Sequence, residues 1–268
     1  MTARLPAGAS TQMDDVLRAT HAAERRHFWY RGFRRFVRPL LAAAAAGQDV
    51  RRLLDAGCGT AANLGLLGER GKAFGFDLTL SGLLIDPADG PRRVACASAP
   101  RMPFADAAFD VVTSFDVLCC LDDADERAAL EETFRVLRPG GAAVVSVPAF
   151  DVLRGEHSVF VHERRRYTRG RLRAAFEQVG FRIERLTCTN ASLFLPLLAK
   201  RSWQRARGLP ASSVAHSDFR QPPAAVNALL STLLAVEAQV VRLIDLPFGS
   251  TVVCLARKPR PEAAADPA

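Results

Sequence analysis

The sequence has little with which to hold a metal or a covalent framework. Its six cysteines, Cys58, Cys96, Cys119, Cys120, Cys188 and Cys254, form no C-x-x-C pair and have no histidines at ligand spacing. They read as reduced thiols in or near apolar strands, so no metal site and no disulfide scaffold is expected. The first residues, MTARLPAGASTQMDD, lack the apolar core of a signal peptide. The longest uninterrupted apolar runs, such as LFLPLLA (193–199), fall far short of the roughly 20 residues that cross a bilayer. A cytoplasmic protein with loose ends at 1–15 and 258–268 is the expectation. Acidic residues are the minority, 28 against 36 Lys and Arg, and the net charge of +8 gathers in RRHFWYRGFRRFVR (25–38) and ERRRY (163–167). Such stretches attract nucleic acid, anionic lipid or an acidic substrate. No helix-turn-helix, zinc finger or RNA-binding sheet motif accompanies them, so nucleic acid is not expected as a partner.

What is present is a globular composition, 49% hydrophobic and 24% charged over 268 residues. Strand-like segments at 51–57, 72–78, 92–98, 109–115 and 141–149 alternate with helical ones near 61–70 and 126–137. That alternation predicts βαβ units and a parallel sheet buried on both faces. A helix over 168–180, a sixth strand at 181–188 and a seventh at 250–258 follow. The fold expected is therefore α/β, a Rossmann-like doubly wound sheet of seven mostly parallel strands. Residues 1–49 form a tail and helical cap, and about 190–248 a helical insertion before the last strand.

Residues 53–64, LLDAGCGTAANL, read as a strand ending in Asp55, a tight turn through Gly57, Cys58, Gly59 and Thr60, and a helix. Glycines admit positive φ and let the backbone approach a ligand at a helix N-terminus. Gly57, Gly59 and Ala62 satisfy G-x-G-x-x-A, so a nicotinamide-dependent oxidoreductase has to be weighed. Asp55 opposes it, because a carboxylate at roughly 4 Å repels each charge of a pyrophosphate by something like 1–4 kcal/mol. A cationic ligand is favoured instead, and S-adenosylmethionine carries a sulfonium and an ammonium and no phosphate. The alternative is that Asp55 only caps the following turn.

The insertion has its own pattern. Val226, Leu229, Leu230, Leu233, Leu234, Val240, Val241 and Ile244 recur at helical spacing, with Glu237 interrupting. A helix packed on its own domain, a lid over an apolar acceptor, a dimer face and a membrane-surface helix all fit it. Ahead of it, LFLPLLAKRSWQRAR (193–207) joins an apolar segment to a basic one, a composition suited to peripheral contact with an anionic membrane.

Taken together the motifs resemble the class I S-adenosylmethionine-dependent methyltransferases of the small-molecule or lipid type, over about 50–188 and again at the last strand. Asp55-Ala56-Gly57-Cys58-Gly59-Thr60 resembles the family's first motif. GFDL places Asp77 and Leu78 at the end of the second strand, where the resemblance implies hydrogen bonds from the ribose hydroxyls to Asp77. MPFADAAFDVV (102–112) and FRVLRPGGAAVVSVP (134–148) resemble the entry to the fourth strand, with Phe115 at its far end, and the helix, turn and strand that follow. Ser98 stands where many relatives carry Asp toward the adenine, leaving base recognition to Ser98, the backbone of Ala99 and packing by Met102. Cys119-Cys120 stands where relatives often show Glu-His, so no general base comes from that pair. No Asn/Asp-Pro-Pro-aromatic tetrapeptide follows the fourth strand, against methylation of nucleic-acid bases.

The loop PAFDVLRGEHSVFVHERRRYT (148–168) is expected over the crevice at the strands' carboxyl ends. It resembles a subgroup loop with a His-Asp pair and then His-x-Arg-Arg-Tyr-Thr, with His157 matching the first histidine and His162 one residue early for the second. The expectation is His157 as general base, His162 as second choice, and Tyr167 or Arg166 positioning a small-molecule or lipid-like acceptor, oxygen slightly favoured. Surface histidines beside a solvated arginine run are the alternative. The aromatic-basic stretch 21–41 reads as a helix, with His27, Phe28, Trp29, Tyr30 and Arg31 either closing over the cofactor as a lid or packing as ordinary core. A non-catalytic subunit that binds S-adenosylmethionine is the competing function.

Overall fold

The computed structural model describes residues 17–18, 20–21, 23–85, 92–209 and 221–261. The tail expected at 1–15 and residues 262–268 of the one expected at 258–268 lie outside them, but Lys258 is anchored, its Nζ donating to Phe134 O and Leu137 O at 2.7 and 2.8 Å. The seven strands are β1 (Arg52–Ala56), β2 (Lys72–Asp77), β3 (Val94–Cys96), β4 (Phe109–Phe115), β5 (Leu137–Pro148), β6 (Arg182–Thr189) and β7 (Thr251–Arg257). They pair in the order β3-β2-β1-β4-β5-β7-β6, parallel except that β7 runs antiparallel to both β5 and β6. The chain order reverses at β1, so β1 and β4 diverge at the switch point and leave a crevice beyond their carboxyl ends.

Both faces of the sheet are covered, which is why its strands read as apolar runs. Adjacent strand residues point to opposite faces. Leu53, Val111 and Val144 pack with Val37, Leu40 and Leu41 of α1 (Phe28–Ala45) and with Leu66 and Leu67 of α2 (Leu64–Gly68). Leu54, Val112 and Val145 join the other cluster. There they meet Leu130 of α4 (Asp123–Val136) and Leu172 and Phe176 of α6 (Arg169–Gln178); a short α3 (Leu80–Leu83) follows β2 and a short α5 (Glu156–Phe160) lies in the loop after β5. Asp122 caps α4 by accepting from Asp125 N, and Thr168 caps α6 by accepting from Arg171 N.

Two details differ from expectation. The Pro139-Gly140-Gly141 turn does not precede β5 but lies inside it. The strand starts at Leu137 opposite Phe109 and shifts register before Ala142 meets Val111, with Gly140 at φ +80°. The insertion consists of α7 (Phe194–Ala206) and α8 (Ala224–Leu243). By length and composition α8 suffices to cross a membrane, with 20 residues at mean hydropathy 1.6, which corrects the expectation that no segment does. Its inward face includes three polar residues: Asn227, Ser231 and Glu237 are buried, while Leu229, Leu233 and Leu243 are exposed.

Candidate active site

The crevice begins where β1 ends. Gly57 N and Cys58 N both donate to Phe76 O, at 2.9 and 2.8 Å, and Gly57, Gly59 and Ala61 all have positive φ. A side chain at Gly57 would run into Val117, so glycine is required there by conformation and by space. Asp77 fixes the turn from the neighbouring strand: Oδ2 accepts from Gly59 N and Oδ1 from Thr79 N, each at 2.8 Å. Asp55 is fully buried, and its Oδ1 accepts from Thr113 Oγ1 at 2.6 Å, whereas Oδ2 has no hydrogen-bond partner. Burial pushes the Asp55 carboxyl up to about 7, nearby Asp77 adding to the rise against the Thr113 bond; burial raises Asp77 as well. Two carboxylates thus sit at one glycine turn with unspent acceptor capacity.

The opposite wall follows β4. Asp116 takes φ +58°, its N–H donates to Ser146 O at 2.9 Å, and Ser146 Oγ donates to its Oδ1 at 3.4 Å. Burial, with Glu163 nearby, pushes the Asp116 carboxyl up to about 6, against the pull of Ser146 and Arg166. Phe115 meets Phe33 of α1 edge to face, ring centroids 4.9 Å apart. Leu17 and Glu24, both helical, then border the mouth. Glu24 accepts from Thr60 Oγ1 at 2.7 and 2.8 Å, and Leu17 lies 3.5 and 2.8 Å from where side chains at Gly59 and Gly82 would begin. Tyr30 is largely enclosed, which raises its phenol well above its usual value, Asp116 contributing. Phe28 and Trp29, by contrast, pack with Leu234, Ala238 and Val241 of α8 as ordinary core.

The loop after β5 is built differently from expectation. Tyr167 is wholly buried and its hydroxyl donates to Glu126 Oε1 at 2.6 Å and Leu118 O at 3.2 Å, so it braces the loop against α4 and does not face an acceptor. Arg166 is also spoken for. It donates to both Glu163 oxygens at 2.7 and 3.0 Å, to Ser158 Oγ and to Ala149 O. Arg165 pairs with Glu126 at 2.6 Å and with Asp123. Only Arg164, paired with Asp122 at 4.0 Å, remains a largely solvated member of the run. His157 lies on α5 with its ring 6.4 Å from Phe160. His162 takes φ +55° and its Nε2 is buried without a hydrogen-bond partner. Replacing Tyr167 by Phe should cost about 1–2 kcal/mol in urea unfolding, the loss of a buried bond to a carboxylate, with the affinity of the crevice unchanged.

The remaining candidates are scattered by role. Ala56 is buried in the sheet core, and Cys58 turns away from the crevice into a cluster with Leu64 and Leu83, where burial raises its thiol. Met102 is a core residue whose N–H donates to Glu132 at 2.6 Å, and Ser98 bridges Arg101 with Ala99 at the turn between them. Leu78 is exposed and follows Asp77 on the crevice rim. No group of three or more His, Cys, Asp or Glu suited to a metal occurs among the described residues.

Residues 54–145, which contain this glycine turn, Asp77 and the β4 end, match the family described as methyltransferase domain. That stretch, about a third of the chain, resembles the cofactor-binding part of class I S-adenosylmethionine-dependent methyltransferases. A probable S-adenosylmethionine-dependent methyltransferase of Mycolicibacterium smegmatis is 34% identical over 124 residues. That match covers 46% of each chain, so it spans about half the relative's length. Among solved structures, the [4+2]-cyclase SpnF superposes with TM-score 0.61 at 18% identity, covering 95% of each chain. Phosphoethanolamine N-methyltransferase 2 of Haemonchus contortus, in complex with S-adenosylmethionine, gives 0.56 at 17%, covering 92% of this chain and 57% of that one. At such identities these two share the fold alone.

The methyltransferase domain's cofactor is S-adenosylmethionine, and the crevice fits it. The orphaned Asp55 Oδ2 is a buried acceptor lacking a donor or a cation, and it adjoins a turn whose Gly57, Gly59 and Ala61 all take positive φ. A dinucleotide would bring its pyrophosphate to the turn beside the buried Asp55, which is the wrong sign. Asp116, Glu163 and Glu24 were not among the sequence candidates, whereas Tyr30 belongs to the aromatic-basic stretch read as a lid or core. Asp116 had one signal, an acid directly after a strand of the switch-point pair; the others become visible only through their partners.

Proposed function

We propose that the chain transfers a methyl group from S-adenosylmethionine to a small-molecule or lipid-like acceptor, at oxygen, with Asp116 as the acceptor-side base. Asp55, with its unpaired Oδ2, would hold the cationic part of the donor and Asp77 the ribose hydroxyls. When bound, the donor supplies a methyl group made electrophilic by the adjoining sulfonium. The chain's own contribution is positioning and exclusion of water: Leu17 and Glu24 close the mouth, and Phe115 and Phe33 form an apolar wall. Asp116, raised to about 6, is ionised at neutral pH yet basic enough to take a proton from a hydroxyl as it becomes nucleophilic. His162, with its buried and unpartnered Nε2, is the second choice for that task. Asp116 rather than His157 carries the reading because it borders the crevice end of β4.

The observation that supports donor binding is the lone Asp55 oxygen, and it makes affinity depend on pH. A carboxyl near 7 is protonated in the free protein below that value, and a cation binds only after the proton leaves. Affinity for S-adenosylmethionine should therefore rise about tenfold per pH unit up to about 7 and level off above it. Calorimetry between pH 5.5 and 8.5 reads this directly, and a flat profile would remove Asp55 from the donor site. The acceptor itself is tested by incubating the protein with methyl-labelled donor and cell extract, then identifying the compound that gains label. Donor binding with no labelled product would favour a non-catalytic binding subunit.

A further inference from the structure

The exposed face of α8 carries Val226, Leu229, Leu233, Val236, Val240 and Leu243, each between 39% and 86% exposed. Their spacings alternate three and four, the 3.5-residue period of a helix that pairs with another helix, whereas a helix seated on its own domain buries such a stripe. Here the opposite face is anchored and α8 cannot roll over. Asn227 accepts from Phe28 N at 2.8 Å and donates to Arg26 O at 2.9 Å, and Glu237 accepts from Ala191 N and Ser192 N at 2.8 and 3.0 Å. Gly32 of α1 lets Leu234 lie so close that a side chain there would meet it at 2.5 Å.

We propose that this face pairs antiparallel with the same face of a second copy of the chain. About a two-fold axis between Leu233 and Val236, Val226 meets the partner's Leu243, Leu229 the partner's Val240, and Leu233 the partner's Val236. Every layer then sets a β-branched side chain against a leucine, the large-against-small complementarity that fills a helix interface without voids. A parallel pair would set like against like in every layer. The six side chains expose roughly 600 Å², and with Ile244 and Phe248 about 800 Å², the per-partner area of a standard stable interface. Between Ala224 and Leu243 the only exposed charged residue is Arg242. A membrane-surface helix instead flanks its apolar face with several cations, and the neighbours here are Ala225, Ala228, Thr232 and Gln239.

Sedimentation velocity of the full chain at micromolar concentration should give a species of twice the 29.1 kDa chain mass. Leu229→Glu and Val240→Lys should each weaken association roughly tenfold or more, with unchanged circular dichroism, because both positions face solvent in the single chain. The double variant L229E/V240K restores it to within a few-fold, since the antiparallel register sets each introduced acid opposite the partner's base. Leu233→Glu is an independent disrupting variant should either of these fold poorly. A native chain that stays monomeric, or that is monomeric and sediments with anionic vesicles, overturns the proposal. So does a double variant that associates no better than the single ones.

Discussion

Asp116→Asn is expected to lower turnover by about 10²–10⁴-fold while donor affinity changes no more than a few-fold. The substitution is chosen for the backbone: Asp116 sits at φ +58°, a conformation asparagine tolerates and alanine does not. Ser146 Oγ can still donate to the amide oxygen, so the loop after β4 keeps its shape. What is lost is the carboxylate at the crevice end of β4, basic near pH 6 and free of an arginine clamp, whereas Glu163 is held by Arg166. In the native enzyme kcat should fall as pH drops through about 6, where Asp116 becomes protonated, and that limb should vanish in the variant. Steady-state rates with the identified acceptor measure both. Unchanged turnover would move the base to His162 or leave the reaction without one.

Asp55→Asn acts on the donor side and should move affinity and stability in opposite directions. Losing the anion that faces the cation should weaken S-adenosylmethionine binding about 10–100-fold, or roughly 1.4–2.8 kcal/mol, and abolish its pH dependence. The free protein, by contrast, should gain about 1–2 kcal/mol at pH 8, because a buried carboxylate with one unpaired oxygen is replaced by a neutral amide. The sign follows from the raised carboxyl. With about 7 in the folded chain against an ordinary 3.8, protonation favours folding, so the native chain loses stability as pH rises from about 4 to 7 and stays low above that. Urea unfolding at pH 4 and pH 8 should therefore show near equality at the first and the variant ahead at the second.

The sheet was legible because its strands are buried on both faces: Leu53-Leu54, Val111-Val112 and Val144-Val145 each send neighbours into opposite clusters, which leaves continuous apolar runs. The glycine turn was legible because positive φ and close packing leave few residues to choose from. The roles in the loop after β5 were not. A run such as ERRRY shows charge but not partners, and Arg165, Arg166 and Tyr167 spend theirs on Glu126, Glu163 and Asp123. The orientation of α8 was hidden for a related reason. Hydropathy places leucines inward, but Asn227 and Glu237 supply the hydrogen bonds that bare backbone groups of α1 and the 190–192 turn require, and those bonds turn the helix around. Asp116 looked ordinary because its character comes from φ and from groups distant in sequence, Ser146, Glu163 and Arg166.

The central claim is that the first crevice takes a cation and refuses a diphosphate. Competition calorimetry at pH 8 with S-adenosylmethionine and NAD, on the native chain and on Asp55→Asn, tests it most directly. The account predicts one S-adenosylmethionine site per native chain, weakened in the variant, and no heat from NAD in the native protein. Saturable NAD binding that S-adenosylmethionine cannot displace would contradict it.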